Sequence, residues 1–463
     1  MLPSGWEWRT IPDLVREDGV FIDGDWVESK DQDPNGDVRL IQLADVGDGV
    51  YRDKSDRFMT KAKAEELRCT FLKDGDVLIA RMPDPLGRAC IFPGDAKPSV
   101  TVVDVAVVRS ANGEFDHRWL ACFVNAHPFR SAISGLQAGS TRKRISRGNL
   151  ATIPLPVPPL PEQRRIVAEI EKQFARLEMG VTALRRVQAN LKRYRAAVLK
   201  AACEGRLVPT EAELATTGNP KAKFETGESL LARILVERRK NWKSRGKYKE
   251  PTAPVTAGLP PLPEGWVWAT FEQIAERVTV GFVGSMKHEY VKYGVPFLRG
   301  QNVRENRFDP EGLLYVSADF HQKLSKSAIQ PGDLAVVRSG SVGVTCVIPD
   351  SLSDANCSDL VLIQRPLGFV PQYGAYYMNS LAKRHVAAGK VGVALIHFNT
   401  KSVAALAVPL PPLVEQKRIV AEVERRLSVV EELEAVVSAN LQRATRLRQS
   451  ILQKAFSGKL TKP

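Results

Sequence analysis

The chain has 463 residues, 44% hydrophobic and 25% charged, a composition that excludes a disordered or fibrous protein. No segment is apolar for long enough to cross a membrane and no signal peptide is recognisable, so we expect a cytoplasmic protein without a membrane partner. The net charge of +14 favours a polyanionic partner such as nucleic acid.

The first body, residues 1–157, is predicted to be a mixed α/β domain with many short strands. Val77–Ala80 is an apolar run after a Gly-Asp turn, and Thr101–Val108 is rich in β-branched residues, so each is predicted to form a strand. Arg and Lys side chains can reach phosphates and guanine, and in this body they concentrate in loops. The DNA-binding candidates here are Arg81, Arg88, Arg142, Lys143, Arg144 and Arg147.

A long helix is predicted within residues 158–207. Pro158 and Pro159 precede it, and no further proline follows Pro161 until Pro209. Apolar residues recur every seven positions, which is the spacing of a coiled-coil seam, and a glycine at position 205 supplies the helix end. The seam residues are Ile170, Leu177, Leu184, Leu191 and Val198.

Residues 208–262 are predicted to be a linker, because they are polar and rich in Pro, Thr, Ala and Gly. One helix is expected inside this linker, over Glu228–Trp242, and it ends in a cluster of Arg and Lys residues.

The second half of the chain repeats the first. The block PPLPEQRRIVAE, which starts at Pro158, returns 253 residues later as PPLVEQKRIVAE, and the match continues without a gap to Gly458. The repeat predicts a second body, residues 263–410, and a second helix within residues 411–463. Its seam residues are Val423, Val430, Val437, Ala444 and Ile451.

The two bodies match only loosely, as in VRLIQLADV from Val38 against VPFLRGQNV from Val295, which predicts one scaffold with two different targets. The second body combines Arg with Gln and Asn, the side chains that pair with guanine and adenine. Its DNA-binding candidates are Arg299, Gln301, Asn302, Arg304, Arg338 and Ser339.

Together these elements predict an α+β protein with a pseudo-two-fold internal repeat. Two mixed α/β bodies are joined by two long helices, which pack antiparallel in a coiled-coil-like pair. Each helix of about 40 residues would be roughly 60 Å long. The alternative is that each helix packs only on its own body.

Catalytic motifs are missing from the sequence. There is no phosphate-binding GxxxxGK[ST] loop and no HExxH zinc motif, and the six cysteines form no CxxC pair and are expected to be reduced thiols. Pro83-Asp84 followed by Asp95-Ala96-Lys97 fits the loose spacing of a metal-dependent nuclease, but the second body has no equivalent. We therefore predict a non-catalytic protein without cofactors or metals.

The duplicated block with its long helix resembles the specificity subunit of type I restriction–modification enzymes. The openings LPSGW from Leu2 and LPEGW from Leu262, and FLRGQN from Phe297, fit the same family. The resemblance implies two target recognition domains, each reading one half of a split double-stranded DNA site. It also implies that the helices set the gap between the half-sites and dock two methyltransferase subunits, and that restriction subunits, which act as translocases, join for cleavage.

Partner subunits are expected to dock near the starts of the two helices. The partner-binding candidates are Glu162, Gln163, Arg165, Glu415, Gln416 and Arg418. Two other hypotheses stay open at this point. A structural adaptor would use the helices only for assembly and would not select DNA sequences, whereas a free-standing nuclease would need the Asp84 pattern.

Overall fold

The computed structural model describes residues 2–83, 85–139, 143–217, 224–242, 247–382 and 399–460. The chain forms two compact units. Unit 1 comprises Met1–Arg186 with Val437–Pro463, and unit 2 comprises Val187–Val436. Both units combine short strands with helices, which confirms the predicted α+β class.

The described residues of unit 1 form nine strands. They are β1 (Glu7–Arg9), β2 (Val20–Asp23), β3 (Val38–Ile41), β4 (Phe58–Met59), β5 (Val77–Ala80), β6 (Ala89–Ile91), β7 (Ser99–Thr101), β8 (Val105–Arg109) and β9 (Leu155–Val157). An antiparallel sheet has the order β2-β8-β5-β6, a second sheet has the order β4-β3-β7, and β1 pairs with β9. The short helices are α1 (Ile11–Val15), α2 (Lys61–Glu66), α3 (His117–Val124), α4 (His127–Leu136) and α5 (Arg147–Ala151).

The predicted strand Val77–Ala80 is confirmed as β5, and its alternating side chains explain why it is wholly apolar. Val77 and Ile79 pack with the helices of unit 1, while Leu78 and Ala80 pack in a separate cluster on the other face. The prediction of one strand over Thr101–Val108 is wrong. The chain turns between β7 and β8, where the backbone N–H of Val105 donates to the oxygen of Val102, and the two strands join different sheets.

Unit 2 repeats this topology, with twelve strands in the part of it that the structure describes. They are β10 (Val267–Thr270), β11 (Ala275–Val280), β12 (Tyr290–Val291), β13 (Val295–Leu298), β14 (Val303–Arg304), β15 (Arg307–Phe308), β16 (Leu314–Val316), β17 (Leu334–Val337), β18 (Thr345–Val347), β19 (Asn356–Cys357), β20 (Leu360–Pro366) and β21 (Ala407–Leu410). The order β11-β20-β17-β18 matches β2-β8-β5-β6 strand for strand. The parallel pair β13-β19 likewise matches β3-β7.

The remaining short helices lie in unit 2. They are α7 (Glu211–Thr217), α8 (Gly227–Lys240), α9 (Phe271–Ile274), α10 (Ala318–Lys323), α11 (Pro371–Tyr377) and α12 (Thr400–Ala404). The helix expected in the linker is α8, and it is more than a connection. Its Leu230 and Ile234 side chains are buried in the core of unit 2.

The two long helices are α6 (Leu160–Cys203) and α13 (Leu413–Ala455). In unit 1, Ile170 near the start of α6 shares a core cluster with Ile451 near the end of α13. In unit 2, Ala202 near the end of α6 shares a cluster with Val423 near the start of α13. Within each unit, therefore, the start of one helix meets the end of the other, which confirms the antiparallel pairing. All ten predicted seam residues are buried or half-buried.

The alternative, in which each helix packs on its own body, is also partly realised, because both core clusters include strand residues of the bodies. Gly205 and Gly458 end the helices with φ values of 68° and 69°, as the sequence predicted. The backbone N–H groups of Arg206 and Lys459 close each end by donating to the oxygens of Ala201 and Lys454. Within the described residues, no helix combines the length and hydropathy needed to cross a bilayer.

Candidate nucleic-acid interface

In unit 1, strands β2 and β5 end on the same side of the sheet on which the antiparallel β8 begins. We call this side the loop edge of unit 1. Arg81 follows β5 directly, and its guanidinium is fixed there. Arg81 Nη1 lies 2.5 Å from Asp23 Oδ1 and donates to the oxygen of Val103, while Nε donates to the oxygen of Ile145.

A basic loop joins the loop edge of unit 1. The backbone of Ile145 donates to the oxygen of Arg81, and Arg147 Nη1 donates to the oxygen of Phe21 in β2. Lys143, Arg144 and Arg147 are exposed. The structure thus brings these three residues to the same edge as Arg81. The remaining candidate of this loop, Arg142, lies outside the described residues.

Arg88, which the sequence suggested as a DNA contact, is buried. Its Nε and Nη2 atoms donate to the oxygens of Val46 and Leu43, and Nη1 donates to Met82 and Pro85. Because the guanidinium is enclosed by these carbonyl groups, Arg88 holds two loops together and is not presented to a base. Its acceptors lie up to 45 positions away along the chain, so sequence alone could not identify this role.

The corresponding edge of unit 2 carries Arg338 and Ser339 at the end of β17. Both side chains contact the carboxylate of Asp359, which precedes β20. The turn after β13 lies beside them, since a Cβ atom on Gly300 would be 3.7 Å from Val337. In that turn, Arg299 Nη2 and Gln301 Nε2 both donate to the oxygen of Gly312. We call this side the loop edge of unit 2.

Asn302 shapes this turn from inside and is fully buried. Its Oδ1 accepts from the backbone of Arg299, and its Nδ2 donates to the oxygens of Asp309 and Glu311. Burial therefore removes Asn302 from the residues that could reach a base. Asp45 stabilises the equivalent turn in unit 1. Its carboxylate accepts hydrogen bonds from three backbone N–H groups, those of Gln42, Lys54 and Ser55.

Arg304 is exposed and borders the long helices of unit 2. It sits in the β14–β15 hairpin, where its Nε is 3.1 Å from Asp309 Oδ2. The hairpin lines an open groove of about 1080 Å³ together with Arg195 of α6 and Glu424 of α13. Arg304 therefore lines this groove beside the long helices, whereas Arg299 and Gln301 are not among its lining residues.

Two glutamines near the starts of the long helices are buried and make the same contacts in both units. Gln163 Nε2 donates to the oxygen of Pro158, and its Oε1 accepts from the backbone of Asp116 before α3. Gln416 Nε2 donates to Pro411, and its Oε1 accepts from Val370 before α11. Both glutamines therefore fasten a body to its helix, and neither is presented to a partner subunit.

Glu415 and Arg418 also engage their own chain. Glu415 is buried and accepts from Trp266 Nε1 and the backbone of Glu211, and burial raises the pKa of its carboxyl. Arg418 Nη1 lies 2.7 Å from Glu211 Oε1, and Nη2 donates to Pro209. At the start of α6, Glu162 is half-buried and Arg165 is exposed.

Exposed apolar residues also lie on the long helices, outside the predicted seam. They could have been found as apolar positions outside the seven-residue seam. On α6 and α13 they are Met179, Val187, Tyr194, Val414, Val429, Leu433, Val436 and Leu447.

The nuclease hypothesis gains no support from the described part of its pattern. Asp95 Oδ2 is 2.8 Å from Arg39 Nη1, and Lys97 Nζ lies over the ring of Phe58, so both charged groups have structural partners. Asp84 lies outside the described residues. Among the residues that the structure describes, no group of three or more His, Cys, Asp or Glu side chains could hold a metal ion.

Comparison with known proteins finds similarity to one family. The family model for the type I restriction modification DNA specificity domain matches residues 3–183. The specificity subunit of the type I restriction enzyme EcoBI of Escherichia coli is 25% identical over 371 residues, covering 79% of this chain and 70% of that protein. The EcoKI specificity subunit of E. coli strain K12 is 26% identical, covering 74% and 65%.

A solved structure shares the fold. It comes from work on complex assembly and conformational transition of the type I R-M system, and it matches with a TM-score of 0.66 at 20% identity. The match covers 99% of both chains, so the similarity in fold extends over the full length of this chain.

Proposed function

We infer that this chain, which belongs to the specificity-subunit family of type I restriction–modification enzymes, recognises DNA by sequence for such a complex. Its contribution is recognition, and the chemistry on DNA belongs to its partner subunits. DNA recognition is favoured over a purely structural adaptor, because the family model that matches unit 1 is a DNA specificity domain.

The observation that carries this proposal is the repetition of one loop edge with different side chains. Each unit ends its central strand in an arginine that a carboxylate holds in place, Arg81 by Asp23 and Arg338 by Asp359. Around these arginines, the surrounding loops differ in most of their residues between the units. Two units with the same strand order but different surface side chains are suited to recognising two half-sites of different sequence.

The proposed DNA contacts are accordingly those candidates that lie at the loop edges and reach the surface. In unit 1 they are Arg81, Lys143, Arg144 and Arg147, and in unit 2 they are Arg299, Gln301, Arg338 and Ser339. Arg142 stays in the proposal on the strength of its sequence position.

For partners, we propose double-stranded DNA, two methyltransferase subunits and restriction subunits. The exposed apolar residues of the long helices support docking, because a helix pair that buries only its seam leaves apolar surface for further helices. Arg165 is the exposed residue among the polar docking candidates near the helix starts. Replacing Leu433 and Val436 with Glu should weaken methyltransferase binding, and retained co-purification would count against this face.

Half-site methylation by the assembled complex tests the proposal. Replacing Arg338 and Gln301 with Ala should relax the half-site read by unit 2 and leave the other half intact, whereas replacing Arg81 and Arg147 should do the reverse. Good base contacts are worth about 1–3 kcal/mol each, or about 5- to 150-fold in discrimination. Arg304→Ala is the matched control, an exposed arginine of unit 2 beside the groove. Equal loss at both half-sites from either variant would refute separate readers.

A further inference from the structure

A tryptophan stands exposed at the loop edge of unit 1. Trp26 follows β2 closely, and 71% of its surface is accessible. Val283, in the equivalent place of unit 2, is 60% accessible. The places correspond because the preceding residues, Asp25 and Phe282, each form an isolated parallel bridge, to Val102 and Ser358. Packing gives no reason for an exposed apolar side chain at this position in both units.

The backbone that carries Trp26 is held firmly. The N–H groups of Gly24 and Asp25 donate to the oxygens of Val105 and Thr101 at 2.8 and 2.7 Å. A Cβ atom on Gly24 would lie 2.2 Å from the oxygen of Val102, so this close approach requires glycine. Because this backbone is already fixed, binding through Trp26 costs little further backbone entropy.

Trp26 lines a concavity of about 600 Å³. Other walls include Gln42, Asp104 and Val103, and the buried Arg88 contributes to the lining. Val103 is also the residue whose carbonyl group fixes Arg81. The concavity therefore adjoins the loop edge of unit 1. Because we propose that this edge contacts DNA, DNA is also the ligand that we propose for the concavity.

Gln42 offers free hydrogen-bonding groups inside this concavity. Its backbone N–H and carbonyl oxygen are used in the turn with Asp45. Within the part of the chain that the structure describes, no hydrogen bond engages its side-chain amide. Such an amide can pair with both hydrogen-bonding groups of adenine, and apolar side chains contact the 5-methyl group of thymine.

We propose that Trp26 and Gln42 read an A·T base pair in the half-site of unit 1. The indole packs on the thymine methyl group, and the Gln42 amide bonds to the adenine edge. This inference rests on the proposed function, since it assigns one base pair to the loop edge of unit 1, which we propose as a DNA contact.

The test uses the chain assembled with its methyltransferase subunits and duplexes carrying the site that the complex methylates. Each thymine of the half-site is replaced in turn by deoxyuridine, which removes only the methyl group. At one position the wild-type complex should lose about fourfold in affinity, and the Trp26→Ala complex should lose nothing further. Gln42→Ala should lower the preference for adenine at that pair by about 5- to 150-fold.

Trp8→Ala is the matched control, because Trp8 is an exposed tryptophan of unit 1 on β1, with 62% of its surface accessible. It should keep wild-type discrimination, and Trp26→Phe should keep most of it. A half-site without an A·T pair, or undiminished deoxyuridine sensitivity in Trp26→Ala, overturns the inference. So does loss of methyltransferase binding in Trp26→Ala with unchanged base discrimination, which would make Trp26 a protein contact. A wild-type complex without any sequence preference would instead refute the proposed function.

Discussion

Replacing Gln416 with Ala should destabilise unit 2 by about 2–4 kcal/mol. The change removes two hydrogen bonds, from Nε2 to the oxygen of Pro411 at 2.9 Å and from the N–H of Val370 to Oε1 at 2.8 Å. The side chain is fully buried, so two backbone groups lose their partner away from solvent. Each such group costs about 1–3 kcal/mol, and water entering the vacated space offsets part of that cost.

Urea unfolding of the full chain measures this loss, as a lower midpoint of the transition assigned to unit 2. Gln163→Ala should lower the transition of unit 1 for the same reason, since Gln163 makes the equivalent contacts. Lys417→Ala is the matched control, because its side chain is exposed beside Gln416, and we expect a change below about 0.5 kcal/mol. Unchanged stability of Gln416→Ala, with loss of methyltransferase binding, would refute the reasoning and make Gln416 a partner contact.

Gln416→Glu adds a test with a defined pH dependence. One carboxyl oxygen would still accept from Val370, while the other would face the oxygen of Pro411 and could bond to it only when protonated. Burial and this carbonyl group should raise the pKa of the introduced carboxyl above about 4.3, the ordinary value for glutamate. A raised pKa in the folded state means that stability is present at low pH and is lost as the pH rises. The deficit in stability relative to wild type should therefore widen as the pH rises above about 4.3.

Three further predictions follow from buried groups. Burial raises the pKa of Glu415 above 4.5, so wild-type stability falls as the pH rises through that pKa. Glu415→Gln should therefore gain stability relative to wild type as the pH rises above 4.5, measured by urea titrations. Asp45→Asn and Asn302→Asp should each lower the free energy of unfolding by about 1–3 kcal/mol in the same assay. Asp45 accepts hydrogen bonds only from N–H groups, whereas Asn302 must also donate to two carbonyl groups. Unchanged stability of either variant would contradict these assignments. Burial also raises the pKa of all six cysteine thiols, that of Cys69 to about 11. Iodoacetamide at about pH 8 should therefore label these thiols only after unfolding, because the thiolate is the reactive form. Rapid labelling of the native chain would disprove this prediction.

Sequence by itself determined the features that depend on neighbours along the chain. The two proline-flanked helices, their glycine ends and their buried seams could all be predicted, because helix signals are local and the seven-residue period repeats many times. The exact repeat of the PPL block also identified the duplicated architecture before any contact was known. The structure confirmed each of these features.

Tertiary structure alone decided which polar residues reach the surface. Arg88 and Asn302 look like DNA-reading residues in sequence, yet both are enclosed by backbone groups, in the case of Arg88 from loops up to 45 positions away. Gln163 lies in a charged motif, yet it bonds to the backbone 47 positions earlier at Asp116. Conversely, the large apolar side chain of Trp26 would be expected in a hydrophobic core, and only the tertiary structure shows that it is exposed. The physical reason is that a buried polar side chain must find its partner in space, and its sequence carries no record of which distant backbone group will supply it.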